Sequence, residues 1–320
     1  MTRPYTQGGS VWVPTRDGRR LHAMVLDVRE PDAGPPPPGR PPPTVVFEAG
    51  VAADRSSWAR VQPAVARFAR AVVYDRAGLG RSAPDPAGRT LTRMADDLGD
   101  LLDHFGPGPF VLVGHSAGGP IVRRAAADRP DRITGLVLVE PTDEGADVLF
   151  TPGFRRMSRI VPRAYRLLAR LDLLHLLYKP LLRAVPEDVR AAMRREAFTA
   201  GAMSAWAETN RTFLDELAAW RDTPPDTGDI ALTVVSGARA GNGMSRSIRA
   251  AANASHARRA AGSAGGRHVI AERSGHYVPL TEPDLVVAQI ARLVRQPDAP
   301  SRRRPYATTE TADPAPEVPR

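Results

Sequence analysis

The chain has no cysteine, so no disulfide can brace it, no thiolate can act as a nucleophile and no cysteine-ligated metal site can form. Lysine is nearly missing too: Lys179 is the only one, and arginine carries almost all of the positive charge. No run of about 18 apolar residues is available to span a bilayer, and the opening Met1 to Gly8 lacks the apolar segment of a secretory signal. These two absences lead to the expectation of a soluble, cytoplasmic protein. No recognised nucleic-acid motif accompanies the formal charge of +9, and the arginine excess runs through a chain equally rich in Ala, Gly and Pro. A nucleic-acid partner is therefore not expected, even though basic surfaces attract polyanions.

What is present suits one large α/β domain with an insertion, or two ordinary domains, at 320 residues and 42% hydrophobic content. Two β-rich runs, Ser10 to Pro14 and Leu21 to Val28, flank Asp17-Gly18 and predict an opening hairpin. The proline-rich stretch Pro31 to Pro43 cannot build a core and reads as a stiff loop. Apolar runs then alternate with helical patterns. Strands are expected at Thr44–Phe47, Ala71–Tyr74, Phe110–Val113 and Ile133–Val139, with helices near Ser57–Arg70, Thr90–Phe105 and Ala117–Asp128 between them. Continuous apolar strands separated by helices imply a mostly parallel sheet covered on both faces.

The alternation stops after Glu140 and resumes at Ile230–Val235, followed by a helix near Ser245–Ala261, the strand His268–Ala271 and a last helix near Glu282–Arg295. The expected organisation is a core of residues 1–142 and 228–296, a helical insertion of 143–227, and a disordered tail of 297–320 whose Pro, Thr and Arg content builds no core.

Gly114-His115-Ser116-Ala117-Gly118 fits G-x-S-x-G, in which the glycines permit a sharp strand-to-helix turn that lifts the serine hydroxyl above a sheet. On its own the pattern is weak, because glycine is frequent here. Its context is specific: an apolar strand runs directly into it, and Ile121 to Ala127 continue it as a helix. Together with Tyr74-Asp75-Arg76-Ala77-Gly78-Leu79-Gly80-Arg81-Ser82 upstream, Val113 to Gly119 resembles the α/β-hydrolase superfamily, over most of Val11 to Arg295 apart from the insertion. The resemblance implies an α/β-hydrolase fold with Ser116 as nucleophile and Asp75 to Ser82 as a structural turn. His115 is expected to point away from the reaction, since neighbours in a tight elbow cannot both face a substrate.

A serine hydroxyl needs a base, and seven histidines compete for that role. His22, His104, His175, His256 and His268 fall on strands, helices or helix ends where structural or surface roles suffice. His276 alone follows the last strand, in Arg273-Ser274-Gly275-His276-Tyr277, on the side where parallel sheets build sites. The resemblance agrees, because the family's catalytic histidine lies in such a Gly-His turn. The family's acid usually follows the strand resembling Ile230–Val235, yet Ser236-Gly237-Ala238 stand there, and Asp229 precedes the strand at the wrong end. Some relatives take the acid from the strand after the nucleophile helix, which here ends in Glu140, with Asp143 close behind as the alternative.

The amides of Ala117 and Val51 are the expected oxyanion donors. Glu48-Ala49-Gly50 departs from the family's frequent His-Gly, which puts a side-chain role for Glu48 in doubt. The Leu, Met, Phe and Trp of the insertion suggest a cap over an apolar pocket. Arg155, Arg156, Arg159, Arg163, Arg166 and Arg170 beside its leucines also suggest weak contact with an anionic membrane surface. The expected activity is hydrolysis of a small apolar ester through an acyl-enzyme, with no cofactor and no metal. A serine at the elbow argues against epoxide-hydrolase or dehalogenase chemistry, which in the family uses aspartate. The alternative is a ligand-binding or sensor protein that keeps the fold with little or no catalysis, suggested by the vacant acid position.

Overall fold

A computed structural model describes residues 5–27, 42–241, 243–263 and 265–295. The expected stiff loop Pro31–Pro43 lies outside the described residues except for its last two, and so does the expected disordered tail 297–320.

Eight strands form one sheet in the order β1-β2-β4-β3-β5-β6-β7-β8. β1 (Gly9–Pro14) and β2 (Arg20–Leu26) make the hairpin, and β2 pairs antiparallel with β4 (Ala71–Tyr74). The others run parallel: β3 (Thr44–Glu48), β5 (Phe110–His115), β6 (Ile133–Val139), β7 (Ala231–Gly237) and β8 (Arg267–Ala271). The apolar runs are continuous because both faces are covered. Along β5, Phe110 and Leu112 enter one core while Val111 and Val113 enter the other, and β6 repeats this with Leu136 and Leu138 against Val137 and Val139.

α1 (Gln62–Val65) and α12 (Pro283–Arg295) lie over one face, α2 (Leu91–Phe105) and α3 (Gly118–Asp128) over the other. Between β7 and β8 runs α10 (Arg246–Ala261), and α11 (Val278–Thr281) precedes α12. The helix expected over Ser57–Arg70 is instead a 3-10 turn, Arg55–Trp58, followed by the short α1. Pro63 accounts for the break: it sits in the first turn of α1, where its missing N–H is tolerated, and disfavours helix before it.

The segment between β6 and β7 folds into α4 (Pro152–Arg170), α5 (Leu174–Leu177), α6 (Lys179–Leu182), α7 (Glu187–Glu196), α8 (Ala200–Thr209) and α9 (Phe213–Ala219). α4 stays helical through Pro162, which cannot bond the carbonyl of Ser158 one turn back. Asn210, just after α8, donates to that carbonyl through Nδ2 at 2.7 Å. Among the described residues no helix is long and apolar enough to cross a membrane.

Candidate active site

Ser116 stands at the junction of β5 and α3 with φ of 54°, a left-handed conformation that a non-glycine residue adopts only when its surroundings impose it. Here they do. Its N–H donates to Val139 O at 3.1 Å, and its carbonyl accepts from Gly119 N at 3.0 Å and Thr142 N at 2.9 Å, which ties the elbow to the end of β6. The flanking glycines are required by close approach. A Cβ on Gly114 would lie 2.6 Å from Gly118 O, and one on Gly118 would lie 2.6 Å from Glu48 O.

His276 lies beyond β8, and with Ser116 it borders one cavity of about 260 Å³. Its Nδ1 is 3.3 Å from Oε2 of Glu140, the residue directly after β6, which also has positive φ, 49°. Glu140 is buried and accepts from Gly237 N at 2.6 Å and from Arg249 Nη1 at 2.6 Å. Burial alone would raise its carboxyl, but the hydrogen bonds from His276 and Arg249 outweigh burial and hold it at about 2. The end of β7 cannot hold an acid at position 237, because a Cβ there would lie 2.3 Å from Gly275 O in the histidine's own loop. Asp143, the alternative acid, is instead held by Arg259, by Ser255 Oγ at 2.6 Å and by Gly145 N at 2.9 Å. That places it beside a separate polar pocket of about 470 Å³ lined also by Arg258 and Asp226.

Val51 borders the cavity, and Ala117 is the N-cap residue of α3, so its amide sits where that helix's positive end begins. The loop after β3 is braced by Arg76, a residue to which the sequence pointed only as part of a turn. Its guanidinium bonds the carbonyls of Ala49, Gly50 and Val51 and the buried carboxylate of Glu48. In a trans peptide the N–H points opposite the carbonyl, so tying Gly50 O to Arg76 directs the Val51 N–H away from it. Glu48 thus has a structural partner, with Tyr74 Oη donating to it as well, and burial pushes its carboxyl upward.

His115 departs from the expectation that it points away. Its Nε2 donates to the carbonyl of His276 at 2.8 Å, the two rings lie 4.9 Å apart, and the side chain borders the cavity. The loop after β8 folds against it. Burial, with the neighbouring His276, holds its pKa down at about 3, so the ring is neutral. Asp75 is buried in the turn after β4, accepting from His22 Nδ1 at 2.9 Å and from Arg55 Nη1 at 2.6 Å. His256 and His268 share Ser236 Oγ, at 2.7 and 2.8 Å.

A mostly parallel sheet covered on both faces, a serine at a left-handed strand-to-helix elbow and a histidine after the last strand define an α/β protein with a strand-elbow-helix site. The chain belongs to the α/β hydrolase family, whose model matches residues 12–289. It is 40% identical over 100 residues to "Putative carbamate hydrolase RutD" of Caulobacter sp. (strain K31), a stretch covering 30% of this chain and 36% of that one. The chain thus spans little more than a third of the length of that curated relative. Among solved structures it is similar to a putative epoxide hydrolase from Pseudomonas aeruginosa, with TM-score 0.67 and 18% identity, covering 92% of this chain and 100% of the other. It is also similar to a thermophilic esterase from Thermogutta terrifontis, with TM-score 0.63 and 21% identity, covering 90% and 98%. At these identities the two structures speak to the fold alone.

Proposed function

We propose that this protein is a serine esterase that hydrolyses small apolar carboxylic esters through an acyl-enzyme. The observation that carries the proposal is the meeting of Ser116, held at a left-handed φ, and His276, backed by Glu140, in one cavity. In this reading Ser116 Oγ attacks the ester carbonyl while Nε2 of His276 takes its proton. The negative oxygen is held by the amides of Val51 and Ala117. The proton then passes to the leaving alcohol, the acyl group stays on Ser116, and water activated by the same histidine releases the acid. Glu140 keeps Nδ1 protonated and stabilises the imidazolium.

The helical insertion acts as a cap: Tyr165, Leu174, Tyr178, Met203 and Trp206 cover the cavity from that side and select an apolar substrate. A cavity of about 260 Å³ favours a small one. Serine, not aspartate, occupies the elbow here, which argues against epoxide-hydrolase chemistry.

The second reading, a ligand-binding protein with weak or no catalysis, is favoured by one feature. Arg249 clasps both oxygens of Glu140 and so competes with His276 for its charge. A fluorophosphonate probe separates the two. The esterase should be labelled in its folded state, and Ser116→Ala should abolish labelling and reduce ester turnover by about 10⁴-fold or more. No labelling, or labelling unchanged in the variant, leaves the binding reading standing.

A further inference from the structure

Among the described residues nine large hydrophobic side chains are exposed, and seven of them fall between Met157 and Leu177. Their arrangement on α4 is regular. Met157, Ile160, Ala164, Leu167 and Leu171 recur at alternating steps of three and four, which at about 100° per residue is one straight row along the helix and its C-cap. Arg156, Arg159, Arg163, Arg166 and Arg170 repeat the same steps and form a second exposed row, centred about 100° around the axis from the first. The third side, carrying Tyr165 and Leu168, packs inward, with the Tyr165 ring 5.6 Å from that of Trp206 on α8. Leu173, Leu176 and Leu177 extend the apolar row past the helix end, at 43%, 50% and 56% exposure.

Charge decides what covers this face. α4 contains no acidic residue, and Arg155, outside the row, pairs with Asp215. Among the described residues no carboxylate pairs with the five arginines of the row. A second copy laid on the same face would bring two such cationic rows together, with only Asp172 beyond the helix end to set against five arginines in each copy. A nucleic acid would engage the arginines but leave the leucines in water. A bilayer with anionic headgroups satisfies both rows at once: a helix lying in the interface buries its apolar side at the acyl boundary and keeps its arginines among the phosphates.

We propose that α4, with the turn and short helix that follow it, docks the protein on an anionic lipid surface. The placement gives the contact a use. Tyr165 on α4, together with Leu174, Tyr178 and Leu181 just beyond it, forms the cavity wall, so the helices facing the lipid are those that enclose the site. Docking itself does not depend on Ser116 being the nucleophile, and its test reads binding and not turnover.

The test is flotation of the full chain with vesicles of phosphatidylcholine alone and with about 30 mol% phosphatidylglycerol added. Binding to the anionic vesicles and not to the neutral ones is expected. Leu167→Asp with Leu171→Asp should lower binding by tenfold or more. Arg163→Gln, Arg166→Gln and Arg170→Gln together should lower it by roughly a hundredfold, at about fivefold per arginine. All five positions are exposed, so these variants should melt with the wild type. Should the leucine variant unfold, Leu171→Ser with Leu177→Ser takes its place. Arg302→Gln, Arg303→Gln and Arg304→Gln should leave binding intact. The proposal falls if anionic vesicles are not bound, if neutral vesicles are bound as well, or if the leucine variant binds like the wild type. It falls equally if the substitutions at 302–304 alone remove binding, or if sedimentation shows a dimer that Leu167→Asp with Leu171→Asp dissociates.

Discussion

At Glu140 two partners compete for one carboxylate, and they pull its role in different directions. His276 Nδ1 at 3.3 Å gains an orienting acceptor, while Arg249 and the Gly237 amide hold the carboxylate in place and spread its charge. The geometry makes Glu140 and Asp143 separable by substitution. Under the proposed esterase mechanism, Glu140→Gln removes the charge that stabilises the imidazolium and should lower kcat for ester hydrolysis by about 10³- to 10⁴-fold. Asp143→Asn should leave kcat within about tenfold, because its carboxylate is bound to Arg259 and Ser255. It should lower stability by about 1–2 kcal/mol instead, since Arg259 loses one charged partner and keeps Glu144 at 2.7 Å. A large kcat loss in Asp143→Asn, with none in Glu140→Gln, would reverse the assignment. At this scale the sequence was most legible where chemistry and neighbours are local. The glycines around Ser116 and the Gly-His turn at His276 are contiguous patterns, whereas Glu140 emerged by elimination. Arg76 and Arg249 carried no such signal, because each acts on backbone or carboxylate brought to it from far along the chain.

Among the elements, α4 shows how a helix tolerates an internal proline when another element supplies the missing partner. The Ser158 carbonyl, which Pro162 cannot bond, takes its hydrogen from Asn210 on the far side of the α4–α8 contact. Asn210→Ala should therefore lower stability by about 1 kcal/mol, seen as a drop of about 1–2 °C in the melting temperature. If the drop is absent, water satisfies that carbonyl equally well. The same residue type had another outcome at α1, where Pro63 sits in the first turn and the helix expected from Ser57 begins only at Gln62. Strand positions were legible because β-branched runs recur with helical patterns between them. Helix continuity was less so, since it depends on partners such as Asn210 that lie in another element.

Across the whole molecule, a buried network joins the hairpin and the loop after β3 to the helical insertion. Arg55 bonds Asp75 of the core at 2.6 Å and Glu196 of α7 at 2.6 Å, and His22 of β2 bonds Asp75 from the other side. Asp54, at the cavity wall, sits against this network with Oδ1 accepting from Ser56 N at 2.9 Å and Oδ2 buried without a partner. Burial first, and then the charge of Asp75, pushes its carboxyl from 3.8 up to about 7. The folded state therefore holds this proton more tightly than the unfolded chain. Its contribution to stability is complete below about pH 4 and fades as the pH rises through about 7, by an amount on the order of a few kcal/mol. Glu140 acts in the reverse sense: its lowered carboxyl adds stability above about 4.5, and that is lost as the pH falls towards 2. Asp54→Asn keeps an acceptor for the Ser56 amide and removes the titration, so its stability in urea should gain steadily on that of the wild type between pH 4 and pH 7. The variant should then be the more stable of the two at pH 8. Parallel curves for the two proteins would mean that Asp54 is ionised in the folded state throughout, and that Arg55 compensates it more fully than burial opposes it.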